Sequence, residues 1–331
     1  MSPPDSLKDQ SGLSVSVIVP AFNAEGIIEE CLRALTALEY GGPLEIIVVD
    51  DGSTDGTREC AARFESVRYL YQENAGPAAA RNRGVKESGS EIVCFTDADC
   101  IVHRDWVEKL AGHFDKPDIA AVAGSYGIAN PDSALARGVH GEILYRHRHF
   151  VPEYPRVFGS YNVALRREIF TAAGGFDESY RFASGEDNDL SYKILAAGRK
   201  IFFERRALVD HHHPVHFRKY LKEQYRHGFW RAKMYFRHPS MIGGDDYTFW
   251  KDGAEVLLAG GIFGAFTAGI FFGHMLRIAA LGVIVLILIE IYYGRRFVSG
   301  SKDAGFYAFV MFFRSFFRTA GLVRGAFHFI R

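Results

Sequence analysis

Three acidic groups and one histidine run have residue types and spacings that can do chemistry. Asp97-Ala98-Asp99 follows the β-branched run Ile92 to Thr96. Residues i and i+2 leaving a strand can point the same way, so both carboxylates can reach one centre. Like charges held that close repel unless a cation or several donors sit between them. A hard divalent ion bridging carboxylate and diphosphate oxygens meets that need. Gly185-Glu186-Asp187-Asn188-Asp189-Leu190 opens a helix, where acids complement the helix dipole. One of them can equally be a general base that takes the proton of an attacking hydroxyl, and the spacing leaves both roles open. Asp50-Asp51-Gly52-Ser53-Thr54-Asp55-Gly56 closes another strand, either as a turn with a helix cap or as a carboxylate aimed at a base or ribose. In His211-His212-His213-Pro214, imidazoles at i and i+2 can share a metal. No nearby Cys or further His completes a zinc tetrahedron. The choice there is between one histidine joining a carboxylate-bound ion and surface histidines without function.

The elements that must position these groups alternate. Val15 to Val19, Leu44 to Val49, Val67 to Leu70, Ile92 to Phe95 and Ala120 to Ala123 read as short strands. Helices start near Glu25, Thr54, Pro77 and Arg104, the first with Ile27, Ile28, Cys31, Leu32, Leu35 and Leu38 at helical spacing. Strict alternation predicts an α/β domain with a doubly wound, mostly parallel sheet. Ligands bind such sheets outside the carboxyl ends of the strands, where these acids lie.

Composition changes along the chain. Over the 331 residues, 48% are hydrophobic and 24% charged, with formal net charge zero. That balance argues against a nucleic-acid binder. Cys31, Cys60, Cys94 and Cys100 form no C-x-x-C pair, as expected of buried thiols in a reducing compartment. The first dozen residues are polar and show no signal peptide. The expected organisation is a polar tail over residues 1–13, a catalytic domain over 14–246 and a membrane region over 247–331. Residues 256–273 and 275–293 read as transmembrane helices near the short limit for a span. Gly260, Gly264, Gly269 and Gly273 have the small-xxx-small spacing that lets membrane helices approach. Arg295, Arg296 and Lys302 place that end, and the domain before it, on the cytoplasmic side of a cell inner membrane. Residues 305–331 mix Phe with Arg314, Arg318, Arg324 and Arg331, which fall within about 140° of helical arc. A helix lying in the lipid interface follows, with a third span as the alternative.

Taken in order, the segments over about Ser14 to Arg231 resemble the family 2 glycosyltransferases of the GT-A fold. The matching segments are Val17-Ile18-Val19-Pro20-Ala21-Phe22-Asn23, Val49 to Asp55, Asn74-Ala75-Gly76-Pro77 through Arg81-Asn82-Arg83-Gly84, and Asp97-Ala98-Asp99. They continue with Gly159-Ser160-Tyr161-Asn162, Gly174-Gly175-Phe176-Asp177, Gly185-Glu186-Asp187 and the histidine run. The resemblance implies that Pro20, Ala21, Asn23 and Asp50 or Asp51 bind nucleobase and ribose, supported by Gly76 and Arg81. It implies that Asp97, next to Ala98, contacts ribose or ion, and that Asp99 ligates Mn2+ or Mg2+ with His211, slightly favoured, or His213. Asp187, with Glu186 beside it, matches the base that deprotonates an acceptor. Gln224, Arg226 and His227 stand where relatives place a Gln/Arg element near the diphosphate, although the full Q-x-x-R-W form is missing. The activity implied is inverting transfer from a nucleotide-sugar, UDP-sugar favoured, to a hydroxyl of a polyprenyl-diphosphate-linked glycan acceptor at the membrane; the alternatives are transfer to a polyprenyl phosphate, or a catalytically silent nucleotide-sugar-binding subunit of a membrane complex.

Overall fold

The computed structural model describes residues 12–182, 184–239 and 245–330. The chain opens with β1 (Val15–Ala21), α1 (Ile28–Thr36), β2 (Leu44–Asp50), α2 (Thr57–Ala61), β3 (Val67–Tyr71), α3 (Pro77–Glu87) and β4 (Ile92–Thr96). It continues through β5 (Cys100–Val102), α4 (Trp106–Ala111), β6 (Ile119–Ile128), α5 (Ala134–His149) and β7 (Asn162–Arg166). Next come α6 (Arg167–Ala172), α7 (Glu186–Ala196), β8 (Lys200–His211) and α8 (Phe217–Arg237). Helices α9 (Trp250–Gly269), α10 (His274–Phe297) and α11 (Ser301–Phe329) follow.

The strands form one sheet in the order β3-β2-β1-β4-β7-β6-β8-β5. The β3-β2-β1-β4 half is parallel, as is β6 with β8. The β4/β7, β6/β7 and β5/β8 pairs are antiparallel. A doubly wound GT-A-type sheet is therefore present, with antiparallel joins in its second half. The period-2 alternation of strand side chains builds two cores. Val15, Val17 and Val19 face one with Ile46 and Val48, while Ile18, Ile47 and Val49 face the other. With helices on both faces, β1 and β2 read as nearly continuous apolar runs. Strands β5, β7 and β8 escape the sequence reading. The first has three residues, and the last is interrupted by Glu204-Arg205-Arg206.

The C-terminal helices correct three sequence expectations. Helices long and apolar enough to cross a membrane are α10 and α11. The segment 275–293 lies inside α10, whereas 256–273 lies in α9 only as far as Gly269, behind Lys251, Asp252 and Glu255. Second, the arginines of α11 do not form a stripe toward lipid. Arg314 is 1% exposed and bonds Glu142 (2.5 Å) and Glu255 (3.2 Å). Arg318 donates to Gln224 (2.7 Å), and Arg324 to the Tyr225 hydroxyl (3.0 Å). Arg331 lies outside the described residues. Arg314 and Arg318 turn inward because buried acids wait there, whereas Arg324 stays exposed. Third, the 260–273 glycines serve close approach only in part: a Cβ at Gly269 would run into Leu276 of α10, while Gly264 and Gly273 face open space. A Cβ at Gly228 would run into the Arg318 carbonyl, and one at Gly321 into the Tyr225 carbonyl, so α8 and α11 touch backbone to backbone. Contacts advance in step along both helices, from Phe217–Phe313 (6.0 Å between ring centroids) to Phe229–Phe329 (5.1 Å). Helix α11 thus runs parallel to α8 along its length. Its outer face presents Phe306, Phe309, Phe317 and Phe327 to the surroundings.

Candidate active site

The parallel strands β1, β2 and β4 end together at Ala21, Asp50 and Thr96. Ala21 accepts the Asp51 N–H (2.8 Å), which joins the first two strand ends. Asn23 takes the left-handed conformation (φ 50°) and accepts the Thr54 N–H (2.9 Å), so the turn after Pro20 and Ala21 is locked to the turn after β2. Asp50 accepts from the Tyr69 hydroxyl (2.6 Å) and the Ser53 N–H (2.8 Å). Asp51 accepts from Gln72 Nε2 (2.7 Å), the Ala75 N–H (2.9 Å) and the Gly76 N–H (2.8 Å). Both carboxylates, expected to face nucleobase and ribose, are buried; Asp50 holds Tyr69 and the turn after β2, and Asp51 shapes the loop over residues 72–76. Gly76 has φ 99°, and a Cβ there would stand 3.1 Å from the Arg181 carbonyl, so glycine alone suits the entry to α3.

Arg81, on α3, was expected to support a nucleotide. It is 1% exposed and holds two carboxylates, Asp97 Oδ1 (2.6 Å) and Glu186 Oε1 (3.1 Å). Its support is therefore indirect: it joins the turn after β4 to the first turn of α7. Glu186 also accepts the Ser184 N–H (2.8 Å). Asp187 accepts the Asn188 N–H (2.8 Å). Burial, reinforced by the adjacent Glu186 charge, pushes the Asp187 carboxyl up to about 7, although Arg81 pulls the other way.

Asp99 comes from the turn after Ala98, and β5 pairs with β8 so that Cys100 stands opposite His211. Ligand atoms of Asp99, Cys100 and His211 all lie within 4.8 Å of one another. His211 Nε2 is 3.5 Å from Asp99 Oδ1. Burial raises the Asp99 carboxyl, the His211 side chain lowers it, and Asp97 raises it again. Cys100 is driven well above its usual value by burial and by both aspartates, so it stays a thiol. A carboxylate and an imidazole beside an open strand end form a donor set that fits Mn2+ or Mg2+ completed by substrate oxygens. His211 Nδ1 is buried without a hydrogen-bond partner, which leaves it free to act as a donor to such an ion. Two expected ligands lie elsewhere. Asp97 is committed to Arg81. His213 is buried, with Nε2 3.3 Å from His140 Nδ1 and its backbone N–H on Asn130 (3.0 Å). Burial, then the neighbouring His211 and His140, lowers its imidazole to about 2, so it stays neutral.

Helix α8 closes the far wall. The Arg226 guanidinium lies 4.4 Å over the Phe182 ring, and His227 Nδ1 is 3.1 Å from Ser184 Oγ, so both cover the segment leading into α7. Gln224, expected beside them, turns instead to Arg318 on α11. Glu223 was missed. Burial raises its carboxyl, and the charges of Asp99 and His211 both reach it. Its place on one helical stripe with Lys219 and Arg226 is the signal that could have found it. The motif Gly159-Ser160-Tyr161-Asn162 proves structural at Asn162, which accepts the Trp106 N–H (2.8 Å) and donates to the Ser125 and Ala207 carbonyls (2.9 Å each).

Residues 16–176 match the family model for glycosyl transferase family 2. That match, with the acid-bearing strand ends, places the chain in this family. Among curated proteins, the chain is 32% identical over 236 residues to the pre-mycofactocin glycosyltransferase of Mycobacterium tuberculosis. The alignment covers 68% of this chain and 48% of that relative, so the chain spans about half its length. It is 29% identical to the succinoglycan biosynthesis protein ExoA of Rhizobium meliloti, over 72% of this chain and 74% of that one. Among solved structures, the mannosyltransferase PcManGT from Pyrobaculum calidifontis, in complex with GDP-Man and Mn2+, superposes with TM-score 0.61. It covers 96% of this chain and 88% of its own at 19% identity, which shows a shared fold.

Proposed function

We propose that this family 2 glycosyltransferase is metal-dependent and inverting. It transfers a sugar from a nucleotide-sugar, UDP-sugar favoured, to a hydroxyl of a glycan carried on a membrane polyprenyl diphosphate. The observation that carries the reading is the bridge through Arg81. It couples the strand end bearing Asp97 and Asp99 to the helix turn bearing Asp187, a carboxylate held near neutrality. A bound Mn2+ or Mg2+, held by Asp99 and His211, would neutralise charge on the leaving nucleoside diphosphate. Arg226 and Glu223 on α8 would border the donor. Asp187 takes the proton of the attacking hydroxyl, for which a pKa close to working pH is the useful range. In-line attack at the anomeric carbon then inverts configuration, as the family resemblance implies.

The Pyrobaculum neighbour, solved with GDP-Man and Mn2+, supports a nucleotide-sugar and an ion in this fold. The apolar outer faces of α9 and α10 support membrane association. We place α10 in a membrane with Arg295, Arg296 and Lys302 at the cytoplasmic surface, and the apolar outer face of α11 against the lipid beside it. A thermal-shift screen of the full chain against UDP, GDP, dTDP and CMP, with and without Mn2+, tests the donor site. A metal-dependent rise for one nucleotide is expected, and no rise with any of them overturns the reading.

A further inference from the structure

The segment joining α8 to α9 belongs neither to the donor site nor to the helices it connects. Asp245 is buried, and its carboxylate accepts from Asn188 Nδ2 (3.0 Å), Arg231 Nη1 (3.0 Å), the Tyr247 N–H (3.0 Å) and the Thr248 hydroxyl (3.1 Å). Asn188 follows Asp187, and its backbone N–H is the donor to Asp187 Oδ1 (2.8 Å). Two residues after Asp245, the Tyr247 ring packs edge-on against His147 (5.5 Å between centroids), and its carbonyl accepts from Arg146. Arg146 also donates to Glu142 (2.6 Å) and, through both terminal nitrogens, to the two oxygens of Asp252 at 2.8 Å each. Asp252 lies in the first turn of α9. Polar contacts therefore run without a break from Asp252 through Arg146, Tyr247, Asp245 and Asn188 to Asp187.

We propose that Asp245 is a positioning residue for glycosyl transfer: it fixes the Asn188–Asp187 turn of α7 and ties the reacting carboxylate to the C-terminal helices through Arg146 and Asp252. The inference rests on the reading of Asp187 as the base. A base must lie within hydrogen-bond reach of the proton it takes, and a misplacement of about 1 Å can lower a rate roughly 100-fold. The opposite side of the turn is held by Arg81 on Glu186, so Asp245 supplies the second point that stops α7 rotating about that contact. Asn188 is suited to the link because its side chain reaches Asp245 while its backbone serves Asp187.

The test uses the full chain in a sugar-free detergent. It measures release of UDP from UDP-glucose or GDP from GDP-mannose, whichever nucleotide stabilises the protein. Asp245→Ala and Asn188→Ala are each expected to lower kcat about 10- to 100-fold, with the nucleotide-Mn2+ binding midpoint unchanged. The double variant should be no slower than the slower single one, since both break the same Asn188–Asp245 bond. The acid limb of the pH profile should stay in place. Glu186, Arg81 and Tyr247 are the charged or titratable groups facing Asp187, and none of them is altered. Asp245→Asn, which keeps one acceptor oxygen, should recover part of kcat. Wild-type kcat in folded Asn188→Ala, or independent multiplication of the two losses, overturns the proposal. If Asp245→Ala fails to fold, Asn188→Ala decides alone. Asp187→Asn separates the two ideas. Turnover retained there sinks the base itself, whereas silence there with an unaffected Asn188→Ala sinks only the positioning role.

Discussion

Two parts of this molecule bury many carboxylates, and they treat them oppositely. At the junction of α5, α9, α10 and α11, the cations Arg146, Lys251, Arg314 and Arg318 meet the acids Glu142, Asp252, Glu255 and Glu290. Each acid there has a cation partner, as burial of charge in a low dielectric demands. At the strand ends, Asp97, Asp99, Glu186 and Asp187 have one buried guanidinium, Arg81, and the imidazole of His211 among them. Balanced charge builds structure, and an uncompensated excess at strand ends leaves room for a ligand's cation. The ionisation of single groups follows the same division. Burial alone would raise Glu142, but the guanidiniums of Arg314 and Arg146 outweigh it and hold that carboxyl well below its usual range. At Asp187, burial and the Glu186 charge outweigh the pull of Arg81, and the carboxyl rises to about 7.

The comparison breaks most sharply at Asp187. Its replacement by Asn should lower kcat by about 10³-fold or more, in the range of general-base catalysis, while nucleotide binding measured by thermal shift survives. Next, Arg314→Met leaves Glu142 and Glu255 buried beside a lost partner. Stability measured by denaturation in detergent should fall by about 3–5 kcal/mol. Asp99→Asn, which removes a proposed ligand without unpairing a cation, should lose metal-dependent turnover and leave the melting temperature within a few degrees. A cleft variant that unfolds the protein, or a junction variant that is stable, would erase the distinction.

The pH dependences should differ in sign. Below pH 7 the Asp187 carboxylate protonates, so kcat/KM should fall about tenfold per pH unit. Its raised pKa means that the folded state binds this proton more tightly than the unfolded chain. Its contribution to stability is full below about pH 4 and lost as pH rises through about 7. Glu142 acts the other way, contributing above its unfolded value of about 4.3 and losing that contribution as acid titrates its lowered folded pKa. Urea titrations of wild type and Glu142→Gln at several pH values check this sign. The smallest effect expected is at Cys100. Because its thiol stays protonated, Cys100→Ala should leave the Mn2+ activation midpoint unchanged, and a clear shift would add the sulfur to the donor set.

The α/β alternation, the strands β1 to β4, the acids at their ends and the helix that opens with Glu186 and Asp187 were legible in the sequence. Each depends on short-range rules: period 2, period 3.6, and turn residues after a strand. Strand β5 was invisible because three residues carry no period, yet its pairing with β8 is what brings Asp99 to His211. Arg81 was visible as part of a motif, but its link to Glu186 spans 105 positions, and no local rule reports that. The arginines of α11 were legible as a basic helical stripe. Only packing against α5, α8 and α9 decided that Arg314 and Arg318 look inward. The sequence by itself determined which chemistry was possible, because residue type and spacing set the donors, acceptors and carboxylates available. The tertiary structure decided which of them are compensated and which are left for a ligand, because charge compensation acts through space between groups far apart along the chain.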